Sequence, residues 1–210
     1  MKRQFLICFL FFSLICFGQK YDVIVYLKNG SVKKGKGDYV DNGESKMKFI
    51  EDSQSKKERI KYDDIEKVEY HDNKTNEPFV LERKETSYKR GSGKPVTEVA
   101  WLNKTRTSGD ISAYVTKSYS DGYTNMSTGN TMTASTFIGF YFQYKDKMPE
   151  MIYFNSSDNY LTKKKWVGNF IENFFKDLCP NMANDFRNGK IKLKEDASPL
   201  LDYYEKNCSK

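Results

Sequence analysis

The sequence predicts an α+β fold, with a small N-terminal β-barrel-like unit, further antiparallel strands and a C-terminal helical tail. Three observations predict it. From Tyr21 to Tyr70, short alternating stretches rich in β-branched and aromatic residues are separated by Asn-Gly and polar turns, the pattern of a tight β-meander. From Val96 to Phe154, further alternating stretches follow. From Trp166 onward, apolar residues recur with the period of one α-helical face.

The chain opens with a segment of another kind. Lys2 and Arg3 precede an apolar run from Phe5 to Phe17, and Gly18-Gln19 follows. A basic start, a short apolar stretch and a small closing residue predict a signal peptide over 1–19, cut after Gly18 with Cys16 at −3. The run is shorter than the roughly 20 apolar residues a helix needs to span a bilayer. Cys16 also admits reading as an acylated lipoprotein cysteine, although Ile15 before it is larger than such signals use. Export to the periplasm, the outer-membrane surface or the outside of the cell is therefore the expected address. Loss of Lys2 and Arg3 lowers the net charge from +7 to about +5. Such a charge suits a soluble surface with mild attraction to anionic glycans or lipid head groups.

The predicted β-barrel-like unit covers 20–71. Tyr21 to Leu27 is the first strand, and Lys28-Asn29-Gly30 turns it, because Asn and Gly tolerate positive φ. Ser31 to Val40 returns, with Gly35 and Gly37 marking a bend or bulge, and Asn42-Gly43 makes a second turn. Lys46 to Glu51 and Lys57 to Tyr62 are strands around a polar turn at 52–55. Asp63-Asp64-Ile65 makes one helical turn before the last strand, Glu66 to Tyr70.

The region 72–157 is β-rich. Phe79 to Arg83 is the strand-like centre of a charged stretch, and Lys89 to Pro95 is a linker by composition. Val96 to Leu102, Ile111 to Ser118, Thr136 to Tyr144 and Met151 to Phe154 are strands. Asp146-Lys147-Met148-Pro149 turns the last two into a hairpin. Residues 119–135, rich in Ser, Thr, Gly, Asn and Tyr, read as a mobile loop too poor in apolar side chains to order by burial.

In the tail, 158–210, Trp166, Val167, Phe170, Ile171, Phe174, Phe175 and Leu178 form one helical face. Asp158 or Thr162 caps its start and Pro180 stops it. A short helix over 180–187 ends at Asn188-Gly189. Ser198 as N-cap and Pro199 in the first turn start a last helix through Asn207 that buries Leu200, Leu201 and Tyr204. With Cys8 and Cys16 removed, only Cys179 and Cys208 remain, and two cysteines in an oxidising compartment pair. A Cys179–Cys208 disulfide is therefore expected in place of two buried thiols.

The segment VIVYLKNGSVKKGKGDYV…KMKFIEDS…KERIKYDDIEKVEY resembles the small SH3-like or Sm-like barrels of secreted proteins from Bacteroidetes-type bacteria. Leu27-Lys28-Asn29-Gly30, Gly35 and the closing run from Ile60 to Tyr70 carry the likeness. The signal ending CFGQK and the plan of a β-rich front with a helical tail resemble uncharacterised envelope proteins of those bacteria. The resemblance implies a fold and an envelope address, and no functional residue comes with it.

Common catalytic inventories are missing from the sequence. His71 is the only histidine, so no His-rich metal site can be built, and the two remaining cysteines lack zinc-ligand spacing. No metal and no cofactor is expected. A Cys–His nucleophile pair would need a reduced thiol near His71. No serine sits in a nucleophile elbow, and the glycines at 35–37 and 91–93 lack the strand and helix of a phosphate loop. Carboxylate pairs such as Asp63 with Asp64, or Glu82 with Glu85, leave a secreted hydrolase as the alternative. Lys163-Lys164-Lys165 sits at the unfavourable end of a helix for positive charge and reads as a solvated face. Tyr119, Tyr123 and Asn125 on the polar loop are the candidate ligand-binding residues, since tyrosines can stack on sugars or peptides and hydrogen-bond them. The expected function is binding or structure in the envelope, with an envelope protein, a glycan or the membrane surface as partner and no nucleic acid.

Overall fold

The computed structural model describes residues 21–52, 57–71, 78–89, 94–120, 123–124, 131–132, 135–155, 160–193 and 196–209. The expected signal peptide, most of the 89–95 linker, Asp158 and Asn125 lie outside the described residues. The chain forms two compact units. One comprises the residues up to Val40 with Glu44–Val80, the other Asp41–Gly43 with Leu81–Lys210.

The first unit follows the meander pattern closely. Its strands are β1 (Tyr21–Leu27), β2 (Val32–Gly37), β3 (Lys46–Glu51), β4 (Lys57–Lys61) and β5 (Ile65–His71), with a 3₁₀ turn over Tyr62–Asp64 before β5. The order is β5-β1-β2-β3-β4, antiparallel throughout. Alternation puts Val23, Val25, Met47, Phe49, Ile60 and Val68 on the buried side. No ladder among the described residues joins β4 to β5. The 3₁₀ turn redirects the chain so that β5 makes its ladder with β1, and the unit is an antiparallel sheet that does not close as a regular barrel.

The β1–β2 turn is built as expected. Gly30 has φ +85°, and the Ser31 N–H and hydroxyl both donate to Asn29 Oδ1. Gly35 and Gly37 make no bulge; they pair in regular register with Glu51 and Phe49. A Cβ on Gly35 would collide with the Ile50 carbonyl, and one on Gly37 with Met47, so their role is close strand approach. The bulge lies instead at Tyr26/Leu27, in the β1–β5 ladder.

The second unit holds β6 from Leu81 onward (the strand spans Pro78–Lys89), β7 (Pro95–Ser108), β8 (Ile111–Ser120), β9 (Tyr123–Thr124), β10 (Thr131–Met132), β11 (Ser135–Tyr144) and β12 (Glu150–Asn155). Three helices follow: α1 (Tyr160–Phe174), α2 (Met182–Arg187) and α3 (Ser198–Asn207). Five strands run in the order β6-β7-β8-β11-β12, antiparallel between neighbours. A single parallel bridge between Glu150 and Ser87 brings β12 back to β6, and the Ser87 N–H donates to the Pro149 carbonyl at 2.9 Å. The ring closes at that one point and is not a regular barrel.

β6 and β7 are much longer than their apolar centres suggest. Their charged and polar residues pair over nine registered positions, from Leu81↔Asn103 to Lys89↔Pro95, so backbone ladders extend where burial does not. Of the stretch 119–135, expected as a mobile loop, residues 121–122, 125–130 and 133–134 lie outside the described residues, and the others are strand. β8 continues to Ser120, β11 begins at Ser135, and β9 and β10 pair between them through Thr124↔Thr131 and Tyr123↔Met132.

The helices cover one face of this sheet. Ile111 and Ala113 of β8, Phe140 and Phe142 of β11 and Ile152 of β12 pack with Val167, Ile171, Phe175, Met182, Phe186, Leu200 and Leu201. α1 ends at Phe174, but Phe175 and Leu178 keep to the apolar face in the turn beyond it, where the Cys179 N–H donates to the Phe175 carbonyl at 2.8 Å. Gly189, with φ +75°, follows α2 as expected. At α3 the N-cap position falls to Ala197, one residue before Ser198, and Asp196 Oδ1 receives the Ser198 N–H and hydroxyl. Cys179 and Cys208 are disulfide-bonded, with Cα atoms 5.5 Å apart. No helix among the described residues is long and apolar enough to cross a membrane.

Candidate functional site

The face of the second sheet opposite the helical core starts from an irregularity. β7 and β8 pair from Ser108↔Ile111 to Asn103↔Val115, with a bulge between Lys104 and Arg106, and no pairing extends beyond Asn103. The Trp101 backbone therefore needs partners on that side. The Asn42 carboxamide and the Thr116 hydroxyl supply them. The Trp101 N–H donates to Asn42 Oδ1 at 2.8 Å, Thr116 Oγ1 donates to the Trp101 carbonyl at 2.8 Å, and Asn42 Nδ2 donates to Thr116 Oγ1 at 3.0 Å. Asn42, expected only as a turn residue, closes this triangle.

Beside the triangle is a cleft of about 1180 Å³, larger than an ordinary small-molecule pocket. Strand alternation supplies part of its lining. Gly139 and Tyr141 of β11 and Thr116 and Ser118 of β8 share a face, opposite the residues that meet the helices. β7 adds Glu98 to Ala100, β6 adds Ser87 to Lys89, and β12 adds Glu150 to Phe154. α1 contributes Trp166, Asn169, Glu172 and Asn173 beside its apolar core face, and Phe170 from that face itself. Gly139 is required here, because a Cβ would press on both Thr116 and the Tyr141 ring.

The cleft chemistry is mixed. Tyr141 and Tyr153 are almost fully buried, and burial pushes both phenols well above their ordinary range, with Glu98 adding to the effect at Tyr141 and Asp196 at Tyr153. Both are therefore neutral hydrogen-bonding groups at physiological pH and not bases. Phe154 and Trp166 pack with ring centroids 5.2 Å apart. Glu98, Glu150 and Glu172 contribute carboxylates, and Arg187 ion-pairs with Glu172. Asn169 and Asn173 are tied along the helix, where Asn173 Nδ2 donates to the Asn169 carbonyl at 2.6 Å.

The residues singled out from sequence fall elsewhere or are described in part. Tyr119 and Tyr123 lie on the backbones of β8 and β9, paired with Thr136 and Met132, and Asn125 lies outside the described residues. Ser118 and Phe137, which flank that segment, both line the cleft. Asp63 and Asp64 share the 3₁₀ turn of the first unit. Glu82 and Glu85 fall on opposite faces of β6 by strand alternation, and Glu82 pairs with Lys84 at 2.9 Å, so they do not form an acid–base pair. His71 ends β5 with Nε2 3.0 Å from Glu69 Oε1. The disulfide leaves Cys179 and Cys208 no free thiol for a nucleophile. Lys164 and Lys165 are exposed on α1. Among the described residues no cluster of three His, Cys, Asp or Glu side chains converges on a metal position.

The cleft was hidden in the sequence because its walls come from five strands and a helix. Its one local signal was the run of aromatic and amide residues from Trp166 to Asn173. Compared with protein-family models, curated proteins and solved structures, this chain has no match.

Proposed function

We propose that this protein is an exported envelope protein that acts by binding, and that its cleft holds a glycan segment. The carrying observation is the lining of the cleft, in which aromatic rings at Tyr88, Phe154 and Trp166 stand among the amides of Asn169 and Asn173 and the carboxylates of Glu98 and Glu150. Sugar rings present apolar C–H faces that lie against aromatic side chains, and hydroxyls that accept from amide N–H groups and donate to carboxylates. The two neutral phenols add hydrogen-bonding groups that do not ionise at physiological pH. Export rests on the basic and apolar start of the sequence, and the disulfide agrees with an oxidising compartment. The meander order of the first unit, with a 3₁₀ turn before its last strand, supports kinship with SH3-like barrels of secreted proteins.

The test is titration of the purified protein with envelope oligosaccharides, followed by tryptophan fluorescence, since Trp166 lines the cleft. Saturable change, lost in Asn169→Ala but kept in a variant of the first unit, supports the reading. A flat titration across neutral, acidic and amino-sugar oligomers overturns it. The second reading, a secreted hydrolase with a carboxylate-based site, draws on Glu98 and Glu150 in the same cleft. Product release that vanishes in Glu98→Gln or Glu150→Gln while binding persists would favour it.

A further inference from the structure

The first unit carries a second feature, independent of the cleft. Strand alternation turns one face of β2, β3 and β4 to solvent, and seven of its nine residues are cationic, Val32 and Ile50 being the other two. β2 contributes Lys34 and Lys36, β3 contributes Lys46 and Lys48, and β4 contributes Lys57, Arg59 and Lys61. All seven are exposed, and the intervening residues Gly35, Met47, Phe49 and Ile60 are buried. The register sets like charges directly opposite each other, Lys46↔Lys61 and Lys48↔Arg59. Among the described residues, acids answer only part of this charge, through Asp22 with Lys36 at 3.0 Å and Asp38 with Lys48 at 3.7 Å. Glu58, the acid within β4, lies on the opposite face with Lys33 at 2.6 Å.

Like charges directly opposite across a ladder destabilise the sheet. The array therefore opposes folding, and a surface that needed only solubility would mix signs. Lysines on an edge strand guard against edge-to-edge association. That accounts for β4, which ends the sheet order, but not for the four lysines on β2 and β3, which are internal strands. Alternate residues on a strand are about 7 Å apart and neighbouring strands about 5 Å apart, so the charges form a flat grid. Six of the seven are lysines, compact point charges on flexible stems, without the planar fork that arginine uses for directed bidentate recognition. Such a grid fits a broad, laterally mobile layer of negative charge better than one shaped anion.

We infer that the exposed β2–β4 face docks this protein on an anionic lipid surface, phospholipid head groups being the occupant. Each lysine or arginine near such a surface adds to the attraction, and the sum is sensitive to salt.

The experiment is sedimentation of the purified protein with vesicles of phosphatidylcholine alone and of phosphatidylcholine with one-quarter phosphatidylglycerol. Two triple variants are compared, K48Q/R59Q/K61Q on the face and K176Q/K192Q/K206Q in the second unit, which remove equal charge. The expected result is binding to the anionic vesicles alone, released by raising salt. The face variant should lose about a hundredfold in partitioning while the control keeps its own. The melting temperature of the face variant should be unchanged or raised, because the opposed charges are relieved. No binding to anionic vesicles, equal loss in both variants, or a lower melting temperature for the face variant would each overturn the inference. So would tighter binding to a sulfated polysaccharide or to single-stranded DNA at the same salt. Failure of this inference leaves the cleft reading standing, because the two surfaces belong to different units.

Discussion

Asn42 and Thr116 hold the backbone of Trp101 where the β7–β8 ladder stops. Removing the carboxamide in Asn42→Ala leaves a half-buried N–H without its acceptor, a loss of about 1–3 kcal/mol measurable as a lower urea midpoint. Gly139→Ala should cost about 1–3 kcal/mol by forcing the Tyr141 ring and Thr116 apart. Three buried phenols set the alkaline limit. Tyr70 donates to the Asp38 carbonyl and accepts the Val40 N–H, and burial raises it strongly, as it raises Tyr141 and Tyr153. A folded-state value above the ordinary 10.0 means that the unfolded chain loses its protons first as pH rises. The stabilisation is complete below pH 10 and falls above it, by up to about 1.4 kcal/mol per pH unit for each tyrosine. Stability measured by denaturant from pH 8 to 12, with phenolate absorbance followed in parallel, should show these tyrosines ionising together with unfolding.

Among the elements, the helical tail depends most on its apolar face and its disulfide. Phe175 lies in the turn beyond α1, touching Phe142 and Tyr204 with ring centroids 6.0 and 5.8 Å away. Phe175→Ala should cost about 3–5 kcal/mol. The Cys179–Cys208 bond closes a loop with a sequence separation of 29, worth about 3–4 kcal/mol on the chain-entropy account. Unfolding of the double Cys→Ser variant should shift by that amount and no longer respond to reductant. Arg106 reaches from β7 to Asp202 and Glu205 of α3 at 2.6 and 2.5 Å. These are surface pairs, so Arg106→Ala should change stability by less than about 1 kcal/mol, a contrast with the buried ring of Phe175.

For the whole molecule, charge and apolar surface are sorted by unit. The first unit sets seven cations on one sheet face, and the second holds a cleft with three glutamates beside Lys89. Strand and helix periodicity were legible residue by residue: the five N-terminal strands, the 3₁₀ turn, the β11–β12 hairpin, the apolar face of α1 and the cysteine pair all follow from local pattern. Even the cationic grid was written as K-x-K at 34–36 and 46–48 and as K-x-R-x-K at 57–61, since a spacing of two places residues on one strand face. What no local pattern contained was the register that sets Lys46 against Lys61, the laddering of polar β6 and β7, and the role of Asn42 fifty-nine residues before its partner Trp101. Periodicity depends on which side of one element faces water, which neighbouring residues decide among themselves. Register, ladder length and the cleft depend on which backbone groups find partners far along the chain, and only the folded arrangement of strands and helices supplies those partners.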